Sequence, residues 1–135
     1  MSESPLGRPA LWPVLRLRCP YCAVESLRKD GSWFDFKAVC PRCHYKIERE
    51  NGYFTGASWM INFPVTGTLA FLLVVVLYLG APSLGSMGIA AVTSLFTFAF
   101  GIWFFPFSQS LWLWMEHSLH PLRDEDRVAP QGPKD

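Results

Sequence analysis

The sequence predicts a membrane α-helical hairpin of two transmembrane helices, with a small cysteine-bearing β/loop domain before it and an amphipathic helix after it. Three observations carry that reading. No Asp, Glu, Lys or Arg occurs from Asn51 to Met115, although the 135-residue chain holds 12 basic and 11 acidic residues. Inside that gap lie two apolar runs, 60–80 and 87–105, joined by six residues. All four cysteines precede the gap, at 19, 22, 40 and 43. A soluble surface needs charge for solvation. A bilayer core excludes it, because a charge at its centre costs about 2.5–3.5 kcal/mol. The first partner the chain implies is therefore the lipid bilayer.

Each span has the right reach. At ~1.5 Å per residue, 60–80 extends ~31 Å and 87–105 ~28 Å, against a hydrocarbon core of ~30 Å. Pro64 is expected in the first turns of the first span, where a missing N–H matters least. The linker 81–86 is too short to cross back, so the spans must be antiparallel neighbours. Pro106 is expected to kink or end the second helix. A helical hairpin buried in a soluble protein fails on supply, because the other ~70 residues could not cover two wholly apolar helices. Ala90, Ser94, Thr97 and Gly101 share one helical face, and small residues allow close approach. Asn62, Thr66 and Ala70 offer a matching stripe. Intramolecular packing and a homodimer are the two uses of such a seam.

Orientation follows from Lys and Arg. Nine lie before the first span, three after the second and none in the turn. Positive residues stay inside, so both termini are expected in the cytoplasm and the protein in the inner, cytoplasmic membrane. Trp59 and Trp103 then fall near the inner interface and Tyr78 near the outer one. The first long apolar run begins too late for a secretory leader.

The flanking segments read as follows. Residues 1–17 form a flexible arm with three prolines. Residues 18–49 form the cysteine domain, in which Lys29-Asp30-Gly31-Ser32 is a turn between two short strands. Residues 50–59 are an interfacial connector, with Tyr53, Phe54 and Trp59 suited to the headgroup belt. Residues 107–120 form an amphipathic helix or a kinked extension of the second span. Leu111, Trp112, Trp114, Met115 and Leu119 lie on its apolar face, and Gln109, Glu116, His117 and His120 on an exposed polar one. Residues 121–135 are a cytoplasmic tail.

The cysteines carry the chemistry. Cys19-Pro20-Tyr21-Cys22 and Cys40-Pro41-Arg42-Cys43 are two C-P-x-C pairs with 17 residues between them. Each loop can turn both sulfurs toward one ion, and four thiolates suit tetrahedral Zn²⁺. Disulfides do not suit a reducing cytoplasm, and the βαβ context of a thioredoxin-like dithiol is absent. About 40 soluble residues also build too small a core to fold unaided. Zn²⁺ is thus the expected cofactor, held by Cys19, Cys22, Cys40 and Cys43 in a zinc-ribbon-like domain, with iron in a rubredoxin-like centre as the alternative. His44 could replace a ligand or bond a sulfur. Glu116, His117 and His120 are candidates for a second site. Four protein ligands leave no open position for substrate, and no catalytic set stands out, so no enzymatic activity is expected.

The segments CPYC and CPRC, ENGYFTGASWMINF and FPFSQSLWLWMEHSLHP resemble the bacterial domain-of-unknown-function family 983, over roughly 18–123. That resemblance implies a two-span protein with a zinc-ribbon-like head and no established activity. Some members sit near respiratory oxidase assembly genes. The family usually has glycine after the closing cysteine of a knuckle, where this chain has Ala23 and His44, so departures from ideal knuckle geometry are expected.

Two roles follow from these readings. One is a membrane-anchored zinc adaptor contacting a membrane or cytoplasmic protein, with Trp33, Phe34, Phe36 and Tyr45 as contact or core residues. The other is metal or redox work in respiratory complex assembly. Nucleic acid is a poor fit, because the positive-inside rule already explains the basic excess of residues 1–50.

Overall fold

A computed structural model describes residues 9–48, 53–120 and 128. The tail expected at 121–135, apart from Val128, the first eight residues of the arm and the side chains of Tyr53 and Phe54 lie outside the described residues. Three helices dominate: α1 (Leu11–Leu15), α2 (Tyr53–Gly80) and α3 (Gly85–Leu119). A 3-10 turn, Pro82–Leu84, joins the long pair.

Both long helices are apolar and uncharged through most of their length, so no competing side-chain chemistry breaks them. They are long and apolar enough to cross a membrane. Their outward residues stay apolar: Phe63, Phe71, Leu79, Met87, Leu95 and Phe98 are all exposed. α2 ends where Pro82 restricts the residue before it. α3 opens on Gly85, whose φ of +64° favours glycine. It closes at His120, which leaves the helical region (φ −127°, ψ 79°) ahead of Pro121 in the sequence.

The helices outrun the spans read from sequence. α2 has 28 residues and α3 has 35, or ~42 and ~52 Å at 1.5 Å per residue. Because both helices meet at one short turn, the length beyond ~30 Å, the thickness of a bilayer core, lies at the end of each helix away from that turn. The connector expected at 50–59 is helical from Tyr53 onward. Pro64 therefore lies inside α2 and not in its first turns. Pro106 does not end α3 either, and 107–119 continues the same helix.

The helix seam follows the expected stripe on α2 but is rotated from the expected one on α3. On α2 it runs through Ser58, Asn62 and Thr66, then the half-buried Leu69, Ala70, Leu73 and Leu77. On α3 it runs through Ile89, Thr93, Phe96 and Phe100, with Thr97 and Gly101 alongside, while Ala90 and Ser94 are exposed. Larger side chains gain more dispersion contact at the seam than the small residues would. Asn62 fixes the register. Its Nδ2 donates to the Gly101 carbonyl at 3.1 Å, and its Oδ1 accepts from Thr66 Oγ1 at 3.0 Å.

The cysteine domain contains no strand among the described residues, which corrects the expected pair of strands. Three isolated antiparallel bridges replace them: Arg18 with Ser26, Arg28 with Phe36, and Val39 with Lys46. Each segment between turns is too short to extend a ladder. The turn at Lys29–Ser32 is present. Ser32 N–H donates to the Lys29 carbonyl at 3.1 Å, and Gly31 has φ +81°, as a type II turn requires at its third residue.

Residues 9–17, expected in a loose arm, are packed. Val14 is wholly buried, Ala10 N–H donates to the Pro20 carbonyl, and Trp114 Nε1 donates to the Pro9 carbonyl at 3.0 Å.

Candidate metal centre

Two matching loops build the site. Ala23 N–H donates to the Cys19 carbonyl, and His44 N–H to the Cys40 carbonyl, both at 2.9 Å. Each closing residue is left-handed, with φ +57° at Ala23 and +58° at His44. The knuckle thus forms without the glycine the family resemblance leads one to expect. The strain is roughly 1–2 kcal/mol per residue, small beside the ~10–16 kcal/mol that a structural metal supplies.

The loops bring all four expected cysteines together. Their sulfurs lie within 4.8 Å of one another. Cys19 Sγ is 3.7 Å from Cys43 Sγ, and Cys22 Sγ is 3.8 Å from Cys40 Sγ. A tetrahedron with metal–sulfur bonds of ~2.3 Å has edges of ~3.8 Å. All four are free cysteines and could hold one metal ion. Cys19 and Cys40 are buried, while Cys22 and Cys43 are half-exposed.

The sulfurs are electrostatically unlike. Burial pushes the Cys19 thiol far up and the Cys43 thiol up to about 11. Burial also acts on Cys22, but the backbone N–H groups of Glu25 and Val24 outweigh it and hold that thiol below its ordinary value. Cys22 therefore ionises more readily than Cys19 or Cys43.

Other candidates fall outside the cluster. His44 contributes backbone, since its carbonyl accepts from Val128 N–H at 2.9 Å. Among the described residues Glu116, His117 and His120 form no metal-binding group. His117 is fully buried, not on an exposed polar face. Its ring lies 5.7 Å from that of Tyr21, which lies 5.7 Å from Tyr45. Part of the polar face of α3 is turned inward, with Gln109 and His117 buried, while Glu116 is half-buried and His120 is exposed. Ser110 and Leu113 are also buried, while Leu119 is exposed. Leu113 joins Cys19, Leu27, Cys40 and Ile47 in one core, with Trp112, Tyr21 and Phe36 packed around it. Periodicity showed two faces but could not show that the cysteine domain covers part of the polar one.

The aromatic candidates divide. Tyr45 and Phe36 belong to the core. Trp33 docks on α3, where its Nε1 donates to the Ile102 carbonyl at 3.1 Å and its ring carries the Arg28 guanidinium at 4.2 Å. Pro106 explains the acceptor. Proline has no N–H, so the carbonyl four residues earlier, that of Ile102, loses its helical partner. Phe34 meets Phe105 edge-on at 5.5 Å.

Comparison with known protein families, curated proteins and solved structures finds no match to the chain. The functional reading rests on the cysteine cluster and the helices that carry it.

Proposed function

We propose that the chain is a non-enzymatic, membrane-anchored zinc adaptor whose metal-binding head lies on the cytoplasmic face of a bacterial inner membrane. The observation that carries this reading is the four-sulfur cluster, in which two sulfur–sulfur distances, 3.7 and 3.8 Å, match the edge of a metal–thiolate tetrahedron. Four protein ligands close a zinc ion's coordination and leave no place for substrate. The two apolar helices supply the anchor, and the concentration of Lys and Arg before α2 supports cytoplasmic termini. Membership of the domain-of-unknown-function family 983 belongs to the same proposal. Trp12, Leu15 and Val24 are exposed on the head and suit contact with a protein partner.

A second reading, iron-based redox or metal transfer, is favoured by the half-exposure of Cys22 and Cys43. Elemental analysis of detergent-purified protein, with a visible spectrum, separates the two. One zinc per chain and no colour supports the adaptor. Iron with charge-transfer bands, or a metal lost to mild chelators, overturns it.

A further inference from the structure

A groove of about 540 Å³ opens between α2, α3 and the head loop that carries Phe34. That volume falls in the ~300–1,000 Å³ range of ligand sites. Its lining includes Phe34, Asp35, Phe63, Gly67, Phe98 and Phe105. Along α3 it runs from Phe105 to Thr97, ~12 Å of helix, which fits within one ~15 Å leaflet.

The two ends differ in chemistry. At the deep end the polar side chains are already engaged. Thr66 bonds Asn62, Asn62 bonds the Gly101 carbonyl, and Thr97 Oγ1 donates to the Thr93 carbonyl. That end offers alkyl and aromatic surface. At the head end Asp35 is the one ionisable residue in the lining. Ser32 Oγ donates to Asp35 Oδ2 at 2.9 Å, which fixes the carboxylate and leaves most of its acceptor capacity free. Two edge-on aromatic pairs line the same groove: Phe34 with Phe105, and Trp59 with Phe105 at 6.0 Å. A carboxylate with aromatic faces attracts an ammonium and repels an anion.

We propose that this groove binds one phospholipid of the phosphatidylethanolamine class, with an acyl chain between α2 and α3 and its ammonium at Asp35. The site rests on the reading that α2 and α3 span a bilayer. It adds a lipid-binding role to the adaptor reading and ties the head to the lipid composition of its leaflet. Phosphatidylcholine has a cation but no N–H to donate, and phosphatidylglycerol has neither, so the expected order is ethanolamine, then choline, then glycerol.

The test is native mass spectrometry of the full-length, metal-loaded protein in mild detergent, titrated with each of the three lipids. Wild type should keep one phosphatidylethanolamine per chain and prefer it to phosphatidylglycerol by about tenfold or more, the scale of one charge-assisted hydrogen bond. Asp35→Asn should bring the two lipids to near parity. Gly67→Leu should lose all three lipids, because Gly67 lines the groove and a Cβ there meets nothing within 4 Å, so the new side chain has room to enter the space the lipid would take. Metal content equal to wild type shows that both variants are folded. Equal retention of all lipids by wild type, or retention unchanged in Gly67→Leu, overturns the proposal. A dimer that Gly67→Leu dissociates would assign the groove to a second copy and overturn it too. Extraction of the native protein from membranes by alkaline carbonate would sink the spanning reading, a failure distinct from loss of lipid preference.

Discussion

At Ala23 and His44 the backbone adopts a left-handed conformation that glycine would enter at no steric cost. The family resemblance leads one to expect glycine at both and a departure from ideal knuckle geometry, yet both loops close. What spacing could not show is that one strained residue per loop is small beside the four metal–thiolate bonds that a bound ion would form. The clustering of the four sulfurs was legible, because two C-P-x-C pairs restrict which sulfurs can meet. His44→Gly should keep one metal per chain, whereas Cys→Ser at 19, 22, 40 or 43 should abolish stoichiometric binding, as read by elemental analysis. Proton linkage gives a second test. Cys19 and Cys43 have thiols raised above the ordinary 9.0, so both carry protons at neutral pH until a metal displaces them. Binding should therefore release at least two protons, and affinity should fall about a hundredfold per pH unit of acidification. Chelator competition at two pH values measures this. The metal-free head shows the opposite sign. A raised thiol favours the folded state below the unfolded value of 9.0, and that preference is lost as pH rises through about 11 for Cys43. Denaturation of the apo-protein should thus become easier across pH 9–11, because Cys22, whose thiol is lowered, adds stability only as pH rises toward 9.0 and none beyond it.

At the scale of the helix, Pro106 shows why a breaker need not break. The sequence offers it as a kink or an end, but α3 continues to Leu119. A proline removes one helical hydrogen bond and leaves one carbonyl to be satisfied elsewhere. Here Trp33, 69 residues earlier in the chain than its acceptor Ile102, supplies the donor. Helical periodicity carries no information about a partner so distant, which is why the length of α3 was not legible. The pairing predicts coupling. Trp33→Phe keeps an aromatic side chain for contact with Arg28 but loses the N–H, and should cost about 1 kcal/mol or somewhat more by leaving the carbonyl unpaired. Pro106→Ala restores an intrahelical N–H to Ile102. In that background Trp33→Phe should cost little. A double-mutant cycle in chemical unfolding checks it, and equal costs in both backgrounds would show that the indole and the freed carbonyl are independent.

Across the whole molecule, the head and α3 share one core. The charge-free gap and the cysteine spacing made two modules legible, an apolar hairpin and a metal knuckle, and suggested a head on a tether. The joint between them was hidden, because Leu113 reads as one more apolar residue in a mixed helix. In the structure it is fully buried and shares a core with Cys19, Cys40, Leu27 and Ile47. Gln109, Ser110 and His117 are drawn inside with it, since positions three and four apart share a helix face. A knuckle of about 30 residues has too little core of its own, so α3 completes it. Metal affinity should then depend on a residue far from any sulfur in sequence. Leu113→Ala leaves a cavity costing about 2–5 kcal/mol. Where metal binding and folding are one equilibrium, that loss appears in the apparent affinity, weakening it by at least about thirtyfold. Leu119→Ala, at an exposed position on the same helix, should leave affinity unchanged. Competition with a zinc chelator on both full-length variants decides the matter. If Leu113→Ala binds as tightly as wild type, the head folds alone and α3 is only its stalk. The thirtyfold loss would mean that α3 carries the metal site directly, so displacement of either is felt by the other.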